Sequence, residues 1–130
     1  MYRAGADADC LGHHRRRQTR VPSVRFDPLA RLFLFDSLAR LWATVTATGE
    51  SPMEARAIVR LAASHAASSA VQAVDLMYTA AGASSVYASC PLERAFRDVH
   101  TITQHHGVQP RVMESTGRVL LGLEPDTPLL

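Results

Sequence analysis

Residues 1–26 follow neither a period of two nor one of 3.6, and at Asp27 the pattern changes. Leu29, Leu32, Phe33, Phe35, Leu38 and Trp42 then recur at mostly helical spacing. Asp27 can N-cap this helix and Pro28 suits its first position, where a missing N–H costs nothing. The pattern predicts a helix to about Thr48, stopped by Gly49. Ser51-Pro52-Met53-Glu54 offers a second start, with an N-cap, a Pro in the first turn and a Glu at the capping-box position. The helix it opens should run to about Ala81.

That second helix is rich in small residues, among them Ala62, Ala63, Ala66, Ala67, Ala70 and Ala73. Ala combines high helix propensity with little bulk, so neighbouring helices can approach closely. Ile58, Leu61, Val71, Val74, Met77 and Tyr78 put apolar groups on more than one side, which suits a helix buried between partners. His65 and Asp75 read as polar edge positions.

Gly82 to Cys90 reads as a loop, with Ser89 or Cys90 capping a third helix that begins at Pro91. Leu92, Phe96, Val99, Thr103 and His106 fall on one stripe of that helix, and Gly107 is expected to end it. Glu93 and Arg97 stand four apart in the favourable order, an exposed pair worth about 0.3 to 0.5 kcal/mol. A short fourth helix is expected from Pro110 to about Leu121, stopped by Gly122. Short turns between four helices imply antiparallel neighbours. The fold expected is therefore all-α, an antiparallel bundle of about four helices over residues 27–125, preceded by a disordered basic tail at 1–26.

The charge supports this division. Residues 1–26 carry six Arg and two Asp, whereas the remainder carries eight Arg and ten acidic residues. The run His13-His14-Arg15-Arg16-Arg17 could hold a polyanion by charge alone. Nothing in the net-negative helical region supports nucleic-acid binding, and a solvated tail is the reading taken.

All fourteen basic residues are Arg, so Schiff-base chemistry through Lys and the Lys-containing phosphate loop are both excluded. Cys10 and Cys90 are far apart and fit neither a disulfide framework nor a Cys/His metal spacing; no metal site is expected. No apolar run reaches the roughly 20 residues that span a bilayer, and the start lacks a signal-peptide apolar region. A cytoplasmic protein is expected.

The stretch Leu76 to Leu123 carries a more specific pattern: the turn Tyr78-Thr79-Ala80-Ala81-Gly82-Ala83, then Pro91-Leu92-Glu93-Arg94-Ala95-Phe96-Arg97-Asp98, then Gln104-His105-His106. In this order it resembles the C-terminal domain of the acyl-CoA dehydrogenase family. The likeness extends less distinctively back to about Asp27.

The resemblance implies a particular chemistry for the end of the third helix. Dehydrogenases of the family place a Glu, the base that takes the substrate's α-proton, where this chain has His106, with His105 just before it. The His-containing version is similar to the flavin-dependent monooxygenase branch, the relatives of dibenzothiophene monooxygenase and of the oxygenase component of 4-hydroxyphenylacetate hydroxylase. There a His at about the position of His105 lies near the flavin. Imidazole can donate a hydrogen bond to a reduced flavin reacting with oxygen, which a carboxylate cannot.

His105 and His106 are thus the catalytic candidates, His105 by motif and His106 by its place on the stripe. A His near a helix C-terminus also gains roughly 0.3 to 1 kcal/mol from the macrodipole with no function at all, so the pair alone does not establish a site. His100 reads as an ordinary exposed residue. Gly82 is first a helix C-cap; the resemblance adds Gly82, Ala83 and Ser84 as cofactor contacts, often to an adjacent subunit's flavin. Arg97, Asp98 and Arg94 read as structural.

The resemblance also implies partners. The cofactor is a flavin, FAD or FMN, not held by this chain alone, because the N-terminal helical domain and the β-domain of full-length relatives have no counterpart here. The chain then reads as a fragment, a split subunit or a product of a misplaced start. A flavin reductase is implied for a monooxygenase, and self-association as a tetramer for the bundle. The alternative reading is a non-catalytic helical oligomerisation module.

Overall fold

The computed structural model describes residues 28–126. The expectations for the basic tail and for Asp27 as a cap lie outside them. Among the described residues the regular structure is helical: α1 (Pro28–Thr48), α2 (Met53–Ala81), a 3₁₀ turn (Gly82–Val86), α3 (Pro91–Thr103) and α4 (Pro110–Leu120). The all-α class is as expected. None of these helices is long and apolar enough to cross a membrane.

The helix boundaries follow local chemistry. Pro opens α3 and α4 at their first turns. Gly49, Gly82 and Gly122 follow α1, α2 and α4, each with positive φ, a conformation that costs other residues roughly 1–2 kcal/mol. The capping box expected at Ser51 and Glu54 does not form. Pro52 is the N-cap of α2, no side chain caps it, and Arg56 N–H bonds the Pro52 carbonyl at 3.1 Å. The segment expected as an irregular loop after Gly82 is a 3₁₀ turn, in which Ser84 and Ser85 donate to the carbonyls of Ala81 and Gly82, three residues back.

The long helix α2 is the hub, against which α1, α3 and α4 each pack. Its small residues make this possible. Ala57, Ala62 and Ser64 are buried to 2% exposure or less. From α4, Ser115 and Thr116 are equally buried, and Thr116 Oγ1 lies 3.4 Å from the Ala57 carbonyl. A second cluster joins α2 to the start of α3: Ala81, Cys90 and Leu92 are buried, with Met77 and Tyr78 packed on them. Cys90 of this cluster is disulfide-bonded.

The core holds few large side chains. Leu29, Leu32, Phe35 and Trp42 of α1 stay largely exposed, Trp42 at 74%. The apolar residues of α1 are spread round the helix and not gathered on one face, so packing on α2 covers some of them and leaves the others to water. By contrast α3 and α4 each turn one apolar face inward and a polar face outward.

Candidate functional site

The stripe on α3 holds for Leu92 and Val99, which are buried, and for Phe96 and Thr103, which are half-buried. It does not extend to His106. The helix ends at Thr103, where Gln104 N–H bonds the Thr101 carbonyl and His105 N–H the Ile102 carbonyl, both at three-residue spacing. These tighter bonds rotate the chain off the α-helical path. His105 and His106 therefore lie in an exposed turn between α3 and α4, not on the inward face.

That turn is closely tied. Gln109 Nε2 donates to the Gln104 carbonyl at 3.1 Å, Val108 N–H to the His105 carbonyl at 3.0 Å, and Gly107 N–H to His105 Nδ1 at 3.1 Å. The His105 and His106 rings lie 4.2 Å apart at 36°. Because Nδ1 of His105 accepts a hydrogen bond, the neutral ring carries its proton on Nε2. An exposed N–H donor is what this geometry presents.

Gly107 is buried beneath it. A Cβ there would stand 3.1 Å from His105 Nδ1 and 3.2 Å from Arg60 Nη1. The guanidinium of Arg60, reaching from α2, and the His105 ring thus press on the same side of one glycine.

The other candidate cluster sits at the opposite end of α3. Gly82 has φ 61° and ψ −144°, a region open essentially to Gly. It is exposed, and a Cβ would meet nothing within 4 Å. Its backbone conformation, not a close approach, requires glycine. Ala83 is exposed beside it and Ser84 is half-buried. The 13 residues of α3 separate this turn from His105 by roughly 20 Å at 1.5 Å per residue. The structure brings His105 and His106 together but not either of them with Gly82, Ala83 and Ser84.

Two groups stand out beyond those expected. His100 Nε2 lies 3.0 Å from Asp75 Oδ1, joining α3 to α2. Its ring is 4.4 Å from that of Phe96, which in turn lies 4.6 Å from Tyr78. His100 is thus not an ordinary exposed residue, nor Asp75 a mere edge position. The four-residue spacing of Phe96 and His100 is the signal in the sequence that points to the contact of those two rings. Ser85, buried to 1% with Oγ 2.6 Å from the Gly82 carbonyl, holds the 3₁₀ turn. Arg97 pairs with Glu93 at 2.7 Å and Arg94 with Asp98 at 3.4 Å, both within α3 and exposed.

A shallow apolar groove of about 230 Å³ runs between α1 and α2, lined by Leu34, Phe35, Ala66 and Ala70 among others. It touches neither candidate cluster. Among the described residues no His, Cys, Asp and Glu side chains gather as a metal-binding set.

Residues 28–110 match the family described as acyl-CoA dehydrogenase, C-terminal domain. Curated relatives include indole-3-acetate monooxygenase of Pseudomonas putida, 28% identical over 96 residues, which are 74% of this chain and 25% of that protein. The enzyme of the same name from Acinetobacter baumannii is 27% identical over the same shares. The pigment production hydroxylase of Rhodococcus erythropolis is 33% identical over 102 residues, 77% of this chain and 26% of the relative. The chain spans about a quarter of the length of the curated relatives it matches.

Proposed function

This chain belongs to the acyl-CoA dehydrogenase family through that family's C-terminal domain, and from that premise we propose that it is the C-terminal helical part of a flavin-dependent oxidoreductase of the monooxygenase branch. His105, with His106 beside it, faces the reactive edge of the flavin. The observation that carries this reading is the His105 turn, whose Nδ1 is engaged by Gly107 N–H, leaving Nε2–H as an exposed donor. A base that removes an α-proton would be an acceptor at this position. A donor suits oxygen chemistry, in which negative charge develops on the reacting group. The names of the relatives, a monooxygenase and a hydroxylase, support the same branch.

The residues of this chain fit a flavin at one edge only. His105 supplies a donor held by a rigid turn, and a bound flavin would supply the electrons that activate dioxygen. Gly82 offers no cradle that a Cβ would fill, so the 3₁₀ turn contributes backbone and the Ser84 hydroxyl, not an enclosing pocket. Given the separation along α3, Gly82, Ala83 and Ser84 serve a different part of the cofactor from His105, or the cofactor of an adjacent subunit. The enclosing walls, and with them the choice of FAD or FMN and the substrate pocket, belong to the N-terminal helical and β-domains, carried in this reading by another part of the protein or another chain. A flavin reductase supplies the reduced cofactor.

The test is His105→Ala and His106→Ala in the assembly that includes those domains. Loss of substrate oxygenation at unchanged assembly mass supports the reading, and unchanged turnover in both variants contradicts it. A second reading, the oligomerisation module, is favoured by the exposed apolar residues of α1. It predicts assembly with no dependence of any activity on either His.

A further inference from the structure

On α2, Arg56 and Arg60 stand one turn apart on the same face, a spacing at which like charges repel. No described carboxylate pairs with either. Arg56 Nε is buried without a hydrogen-bond partner, its Nη2 reaching only the Met53 sulfur at 3.3 Å. Among the described residues the Arg60 side chain has no hydrogen-bond partner, and its Nη1 packs over Gly107 beside His105 Nδ1. Elsewhere in these helices exposed Arg residues find partners: Arg40 with Asp36, Arg94 with Asp98, Arg97 with Glu93 and Arg111 with Asp126. Arg31 and Arg118 also lack a carboxylate, Arg31 lying over the Phe35 ring and Arg118 donating to the Glu124 carbonyl. Arg56 and Arg60 are half-buried one turn apart on α2, and Arg60 reaches the candidate catalytic turn.

We propose that Arg56, Arg60 and His105 form a binding site for an oxyanion, the carboxylate of an acidic substrate or the phosphate of a cofactor. Removing a guanidinium from bulk water without a counter-ion is costly, and an anion of this kind reverses that cost. The planar fork of Arg60 matches two oxygens of one carboxylate or phosphate. The exposed Nε2–H of the neighbouring His105 ring adds a further donor. Preorganisation is good, since Arg60 springs from the hub helix and His105 from a turn closed by backbone hydrogen bonds. The site extends the reading of His105 given above by naming the chemistry of the group it holds, yet it needs no flavin to be observed.

The test uses the full chain and the imidazole proton resonances of His105, assigned by comparison with His105→Gln. Phenylacetate, its uncharged amide and inorganic phosphate are the probes. The expected result is a saturable shift of the His105 resonances with at least one anion and none with the amide. Binding should weaken about tenfold or more in Arg60→Gln, the loss of a charge-assisted pair, and remain measurable in Arg60→Lys. Arg97→Gln, on the outer face of α3, should change nothing. A response to phenylacetate alone assigns the site to a carboxylate substrate, and to phosphate alone, to a cofactor phosphate. If Arg60→Gln fails to fold, Arg56→Gln must show the same weakening. No saturable shift, an equal shift with the amide, or indifference to the Arg60 and Arg56 substitutions overturns the proposal. Because the experiment contains no flavin, this failure would leave the flavin reading standing, and the reverse also holds.

Discussion

Asp75 and His100 meet across α2 and α3, Oδ1 to Nε2 at 3.0 Å, beside the ring column of Phe96 and Tyr78. The two kinds of contact differ in strength. The polar pair is 40% and 46% exposed in its side chains, so water competes for it and it contributes about 1 kcal/mol or less. The ring contacts also remove apolar surface from water. Asp75→Asn should therefore cost about 1 kcal/mol at most in urea unfolding, and Phe96→Ala about 2 kcal/mol, since Phe96 is only half-buried. An equal loss from both would mean the polar pair holds the helices together.

Two glycines with open space around them should respond in opposite directions. At Gly82 a methyl group meets nothing, but φ 61° and ψ −144° are unfavourable for alanine. Gly82→Ala should destabilise by about 1–3 kcal/mol. Gly117 lies inside α4, also without neighbours within 4 Å. Gly117→Ala should stabilise by about 0.5–1 kcal/mol. Thermal unfolding followed by helical circular dichroism measures both.

Asp126 fastens the segment after α4. Ser115 Oγ donates to its carboxylate, and Arg111 lies 3.4 Å away. The Ser115 hydrogen bond holds the Asp126 carboxyl below the ordinary carboxylate range; desolvation opposes it, and the weaker pull of the Arg111 charge acts in the same direction as the hydrogen bond. A folded-state value below the unfolded one contributes stability that is fully present above about pH 3.9 and is lost as pH falls through the depressed folded value. Amide exchange over residues 121–126 should accelerate on acidification in the wild type. In Asp126→Asn it should be fast already at neutral pH, with little further change on acidification.

The exposed apolar residues of α1 predict association. Leu32 and Trp42 are 64% and 74% exposed, and an apolar surface of this kind is normally covered. Sedimentation should find the chain oligomeric, and Leu32→Glu with Trp42→Glu should shift it towards the monomer with its helicity retained. A monomeric wild-type chain at micromolar concentration would contradict this.

Helix positions are legible in the sequence because Pro and Gly punctuate them: Pro28, Pro91 and Pro110 at starts, Gly49, Gly82 and Gly122 at ends. The end of α3 is not. Its turn is closed by three-residue backbone bonds at Gln104 and His105, and no residue type announces them, so helical spacing puts His106 on a face it does not reach. The Asp75–His100 and Arg60–Gly107 contacts join residues distant along the chain, and spacing within one helix carries no information about its register against another. The distance between the two candidate clusters, by contrast, is implicit in the length of α3.

The most direct test of the central claim is titration with riboflavin, which has the flavin ring system without a phosphate, following the histidine ring resonances of this chain, isotope-labelled, within the assembly that includes the N-terminal helical and β-domains. The predicted result is a saturable shift of His105, and a smaller one of His106, with His65 and His100 unmoved and the response lost in His105→Ala. A folded chain whose His105 resonances do not move with riboflavin, or move no more than those of His65 and His100, would contradict it.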